Sequence, residues 1–167
     1  VLCCLLLALP SWAEPLWLQQ GNCCGTQQDI RVLFDPTGQL SFEQVRSQQA
    51  SFQMPLREDL SYGYREGAIW LLLKVQPAET SRWWWLFTYP SLDQLTLYQQ
   101  DSRGVRQLHS GDMVPLMQRA LVHRQAVFPL DVLQGEISTM FVRIESQGSM
   151  TLQNQILDTE HFVLTTA

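Results

Sequence analysis

The residues best suited to chemistry in this chain are aromatic and cationic rather than nucleophilic. Trp83, Trp84 and Trp85 are consecutive, and Arg119, His123 and Arg124 lie close together. Exposed aromatic faces stack on the apolar faces of sugar rings, while neighbouring polar side chains fix the hydroxyls. Arginine pairs hold carboxylate or phosphate through paired hydrogen bonds. Both patterns also have ordinary uses. Tryptophans fill cores because they bury a large area, and arginines form surface ion pairs. Bond-cleaving constellations are missing. The chain has neither a Gly-x-Ser-x-Gly elbow nor a Gly-rich phosphate loop. His109, His123 and His161 are scattered without metal-ligand spacing. The sequence therefore predicts no catalytic residues, no metal and no cofactor.

The elements that must position these residues read mainly as strands. DIRVLFDPTGQLS is a strand closed by the turn Asp35-Pro36-Thr37-Gly38. Ser41 to Gln49 reads as one short helix, with Ser41 as its cap and Phe42 and Val45 on one side. AIWLLLKV, WWWLFTYP, LDQLTLYQQD, RQAVFPLDV, STMFVRIES and TLQNQIL read as further strands, separated by Gly, Pro, Asp and Ser. No long amphipathic helix lies between them, which excludes an alternating βαβ chain and points to an antiparallel sandwich.

Two-residue periodicity assigns faces. Ile69, Leu71, Leu73 and Val75 face one way; Ala68, Trp70, Leu72 and Lys74 face the other. Met140, Val142 and Ile144 oppose Phe141, Arg143 and Glu145. Val122, Arg124, Ala126, Phe128 and Leu130 share a face against His123, Gln125 and Val127. Trp83 and Trp85 share a face and Trp84 takes the other. If the strands are neighbours, Trp70, Lys74, Phe141, Arg143 and Glu145 would form an exposed ligand platform.

Composition bounds the answer. The 167 residues carry 11 basic and 16 acidic side chains, for a net charge of −5, and 46% are apolar. This suits one folded domain and disfavours nucleic acid as a partner, since nucleic-acid binding needs a basic stripe. No apolar run reaches the length of a membrane-spanning helix. Val1 to Ala13 reads as the apolar run and Ser11-Trp12-Ala13 cleavage site of a signal peptide with a truncated start. The expected organisation is signal peptide 1–13, an N-terminal arm 14–27 and a sandwich domain 28–165, the first part of a longer protein. Cys3 and Cys4 would leave with the signal. Cys23 and Cys24 would remain, either as incidental thiols, paired with another chain, or as a strained bridge between neighbours.

The order of motifs resembles the type-2 extracellular domain of bacterial seven-transmembrane receptors with diverse intracellular signalling modules. The residues that carry the likeness are Tyr62-Gly63-Tyr64 with Ala68-Ile69-Trp70-Leu71, Tyr89 to Asp101, and Ser110-Gly111-Asp112 with Pro115. They continue through Arg119, His123-Arg124, Phe128-Pro129-Leu130 and Phe141 to Met150. Cys23-Cys24 and the Trp triplet depart from the family pattern. The resemblance implies an all-β jelly-roll β-sandwich similar to carbohydrate-binding modules, placed in the periplasm ahead of seven membrane helices. A cytoplasmic diguanylate cyclase or histidine kinase would follow. The expected role is ligand sensing, without catalysis in this chain. The candidate ligand-binding residues are Tyr64, Trp70, Lys74, Arg119, His123, Arg124, Arg143 and Glu145. A small molecule such as a carbohydrate or carboxylated compound would bind there. The C-terminal strand near Thr151 to Leu164 would pass the bias to the adjoining membrane region. Two other readings remain: a receptor-dimerising or protein-interaction module, favoured if the Trp triplet is exposed, and a secreted carbohydrate-binding module.

Overall fold

The computed structural model describes residues 14–21 and 24–167. The expected signal peptide and the pairing of Cys23 with Cys24 lie outside the described residues. The strands are β1 Leu16–Leu18, β2 Cys24–Gly25, β3 Arg31–Asp35, β4 Ser61–Tyr64, β5 Ala68–Pro77 and β6 Ser81–Phe87. They continue as β7 Gln94–Asp101, β8 Gly104–Ser110, β9 Ala126–Val132, β10 Ser138–Glu145, β11 Ser149–Thr151 and β12 Asn154–Asp158. Helix α1 spans Phe42–Ser47 and α2 spans Thr159–Thr166.

The strands form an all-β sandwich. In the larger sheet β5 pairs with β10, β10 with β7, and β7 with β8, while β1 and β3 both flank β5. The smaller sheet has the order β2-β12-β6-β9, and β4 pairs with β11. All pairings are antiparallel except that of β1 with β5. In the larger sheet the late strand β10 lies between β5 and β7, and in the smaller sheet the late strand β12 lies between β2 and β6, the interleaving of early and late strands expected of a jelly roll.

The core follows the period-two reading. Ile69, Leu71, Leu73 and Val75 meet Met140, Val142 and Ile144 along the larger sheet. Trp83, Trp85 and Phe87 of β6 and Ala126, Phe128 and Leu130 of β9 close the core from the other side. The Trp83 and Trp85 indoles have partners, as buried Trp N–H groups usually do, whereas the buried Trp70 Nε1 has none. Trp83 donates to Ser81 Oγ at 2.9 Å and Trp85 to Asn154 Oδ1 at 2.8 Å. Trp84 faces outward and stacks on Phe162 of α2, with ring centroids 4.5 Å apart.

Three expectations need correction. First, the outer face of the larger sheet is not an open platform. α1 forms where the sequence places it, capped by reciprocal hydrogen bonds between Ser41 and Gln44. Its apolar side has to be buried, and the sheet is the surface available. Val45 and Phe52 pack onto Trp70, Leu72 and Phe141, with Phe42 and Tyr98 at the margin. Trp70 and Phe141 are completely buried. Second, Val122 and Arg124 do not share the core-facing side with Phe128, because β9 starts only at Ala126 and both residues are exposed. Third, Thr151 to Leu164 is not one strand. β12 ends at Asp158, whose side chain accepts the His161 amide at 2.8 Å and starts α2. Strand β8 was not expected either.

Candidate functional site

One end of the sandwich gathers the loops that could hold a ligand. β3 and β10 finish there and β5 and β7 begin there, as the pairs Asp35 with Ala68, Ile144 with Ile69 and Glu145 with Gln94 show. The β3–α1 turn is held by Asp35, which is buried. Its carboxylate accepts the amides of Gly38 and Leu40, each at 3.0 Å, and the Thr37 hydroxyl at 3.1 Å. The β4–β5 turn, Tyr64 to Gly67, lies directly against it. Gly67 has φ +80°, and a Cβ there would collide with the Asp35 and Pro36 backbone, so only glycine lets the two turns touch. Arg143 of β10 reaches the β3–α1 turn. It donates to the Gly38 carbonyl at 2.8 Å and pairs with Glu145 at 2.8 Å.

Above this floor is an open cleft of about 430 Å³ lined by Tyr64, Arg65, Glu66, Gly67, Glu145, Ser146 and Gln147. Tyr64 is 82% exposed, so its ring is available for contact. Arg65 lies over the Phe34 ring at 4.6 Å and donates weakly to the Tyr62 carbonyl at 3.4 Å. It also lines two neighbouring hollows, one with Phe34, Asp35 and Pro36 and one with Leu56, Arg57 and Tyr62. The far wall is fixed by the Gln147 amide, which donates to Asp93 at 2.8 Å. One exposed aromatic ring, carboxylates, a guanidinium and an amide side chain can together bind a small polar ligand with an apolar face.

The structure separates the sequence candidates. Tyr64 and Glu145 line the cleft, and Arg143 supports it from below. Trp70 is the register partner of Arg143 but lies under α1. Lys74 sits further along the same face of β5, opposite Thr139, where partial burial lowers its pKa. Arg119 is committed to its own loop. Its guanidinium donates to the carbonyls of Val114 at 2.8 Å, Asp112 at 3.0 Å and His123 at 3.4 Å. His123 accepts the Gln125 amide through Nδ1 at 3.0 Å, and Arg124 is exposed. Residue reading missed Arg65, Glu66, Gly67 and Gln147. The run Tyr64-Arg65-Glu66-Gly67, polar residues closed by a glycine after a strand, is a turn signal that could have found the first three.

Among the described residues, no group of three or more His, Cys, Asp or Glu side chains could hold a metal ion, and no helix is long and apolar enough to cross a membrane.

A sandwich with a loop-built cleft at one end is an architecture of recognition domains. The chain matches the family model described as 7TMR-DISM extracellular 2 over residues 27–158 and belongs to that family. It is therefore an extracellular sensor domain of a transmembrane receptor. No curated protein matches the chain.

Proposed function

We propose that this domain senses a small polyhydroxylated or carboxylated ligand, such as a sugar or sugar acid, in the cleft between the β4–β5 turn and the β10–β11 loop. The observation that carries the reading is Tyr64. A large aromatic side chain stands almost fully exposed beside Glu66, Glu145 and Gln147. Its ring would stack on the ligand's apolar face while the polar groups select hydroxyls. Family membership supports a periplasmic setting after export by a signal peptide, ahead of membrane helices and a diguanylate cyclase or histidine kinase. The ligand acts by binding one receptor conformation better than another. The interaction-module reading loses the feature that favoured it, because Trp83 and Trp85 are core residues and Trp84 is covered by Phe162.

A thermal-shift panel of hexoses, hexuronic acids and organic acids tests this on residues 14–167. A ligand at 100 times its dissociation constant adds about 2.7 kcal/mol, a shift of several degrees. Tyr64→Ala should abolish the shift and leave the unliganded melting temperature unchanged. An equal shift in wild type and Tyr64→Ala would remove the cleft from the account.

A further inference from the structure

Arg65 is a cation that the fold leaves without an acid. Its guanidinium is held by rings, 4.6 Å from the Phe34 centroid and 5.7 Å from that of Tyr62. Its hydrogen bonding is limited to the Tyr62 carbonyl at 3.4 Å, and among the described residues no carboxylate pairs with it. Arg65 lines three hollows. The cleft beside Tyr64 also has Glu66 and Glu145, and the hollow over Phe34 has Asp35 and Glu66. The third, of about 440 Å³, is lined by Leu56, Arg57, Ser61, Tyr62, Gly63 and Arg65, with no carboxylate among them. Every polar side chain in that lining can donate: two guanidiniums and two hydroxyls. Tyr62 is 8% exposed, and its hydroxyl is buried without a hydrogen-bond partner, a cost that an acceptor reaching it would offset.

The acids that flank this hollow in sequence are Glu58, Asp59 and Glu66. Asp59 pairs with Arg57 Nε at 3.2 Å and accepts the Ser61 amide at 3.1 Å, which makes Arg57 the weaker of the two cations. Glu58 is exposed and outside the lining, and Glu66 faces the other two hollows. The turn that presents Arg57 is set in advance. Its carbonyl accepts the amide of Leu60 at 3.1 Å, and Leu60 is a buried residue at φ +51°. A leucine keeps that left-handed conformation only where its surroundings over-determine it. Leu56, 73% exposed, supplies an apolar wall. We propose that this hollow binds a small monocarboxylate with a compact apolar body. Arg65 holds the carboxylate, Arg57 and Ser61 assist, and the apolar body lies against Leu56 and Tyr62. The site shares only Arg65 with the cleft beside Tyr64 and does not depend on a sugar binding there.

Benzoate is the probe and benzamide its neutral counterpart. Each is titrated into residues 14–167, whose core closes within these residues, with amide chemical shifts as the readout. Benzoate should give saturable shifts at Leu56, Arg57 and Ser61 to Arg65, and benzamide should bind about tenfold more weakly or worse. Arg65→Gln should weaken benzoate about tenfold or more, the effect of losing a charge-assisted pair. Arg57→Gln should weaken it roughly threefold, because that guanidinium is shared with Asp59. Tyr64→Ala should leave benzoate binding unchanged. Arg57 is exposed, so its variant tests the hollow even if Arg65→Gln lowers the melting temperature. Equal affinity for benzoate and benzamide would overturn the proposal, as would the absence of saturable shifts with benzoate. Benzoate shifts confined to Glu145 to Gly148 and lost in Tyr64→Ala would overturn it too, while supporting recognition in the cleft.

Discussion

Arg143 illustrates how one side chain can serve a site without touching its contents. Its guanidinium bridges Gly38 on the β3–α1 turn and Glu145 on the cleft wall. Removing it leaves the Gly38 carbonyl unpaired in a part-buried position and frees Glu145. Arg143→Ala should therefore lower stability by about 1–3 kcal/mol, visible as a fall of several degrees in melting temperature; an unchanged melt would contradict the supporting role. A second arginine cluster latches the two sheets at their edge. Asp131 of β9 accepts Arg82 through both oxygens, at 2.7 and 3.0 Å, and Arg106 of β8 at 3.1 Å. These partners, Arg82 foremost, hold its carboxyl below its ordinary value of 3.8. Arg103 does the same for Asp101. A depressed folded pKa contributes stability that is present above the ordinary carboxylate range and lost as pH falls through the folded value. The melting temperature should drop on acidification below about pH 4. Asp131→Asn should start lower at neutral pH and lose less over that interval. An identical acid limb in the variant would remove Asp131 from the latch.

At the scale of elements, the legible parts were those with one strong pattern. β5 and β10 alternate so clearly that their core faces could be assigned residue by residue, and α1 announces itself through Ser41, Phe42 and Val45. Sequence could not say where α1 would lie. Its amphipathic side is generic, and only the three-dimensional path of the β3–α1 turn carries it over Trp70 and Phe141. β8 escaped because its residue types do not follow its faces: exposure alternates from Val105 to Ser110, but apolar Val105 is on the exposed side while Arg106 and Ser110 are on the more buried one. α2 escaped because Val163, Thr165 and Thr166 favour extended backbone. Its start was nonetheless legible in Asp158 followed by Glu160, a cap and a first-turn acid. α2 is joined to the sandwich mainly by Phe162 on Trp84 and by the Asp158 cap, which also accepts the Gly21 amide at 2.9 Å. Burial pushes the Asp158 carboxyl up, but the His161 and Gly21 amides together with the His161 ring hold it below its usual value. Phe162→Ala should let α2 undock at a cost of up to about 3 kcal/mol. Hydrogen exchange would then show α2 amides exchanging fast while those of β5 and β10 stay protected. Protection retained in α2 would show that the helix is anchored elsewhere.

For the whole molecule, the sandwich and the family were readable because they depend on patterns spread over many strands. The site was only partly readable because it depends on which turns meet. Tyr64 and Glu145 are 81 positions apart in the chain, and the β5–β10 and β4–β11 pairings bring them together. We propose that recognition occurs at that end of the sandwich. The most direct test is amide chemical-shift mapping of residues 14–167 during titration with a hexuronic acid and its neutral hexose. Saturable shifts should be concentrated at Tyr64 to Gly67 and Glu145 to Gly148, with smaller changes at Asp93, which accepts the Gln147 amide. Saturable shifts concentrated elsewhere, such as at the Arg82–Asp131 edge, would contradict it.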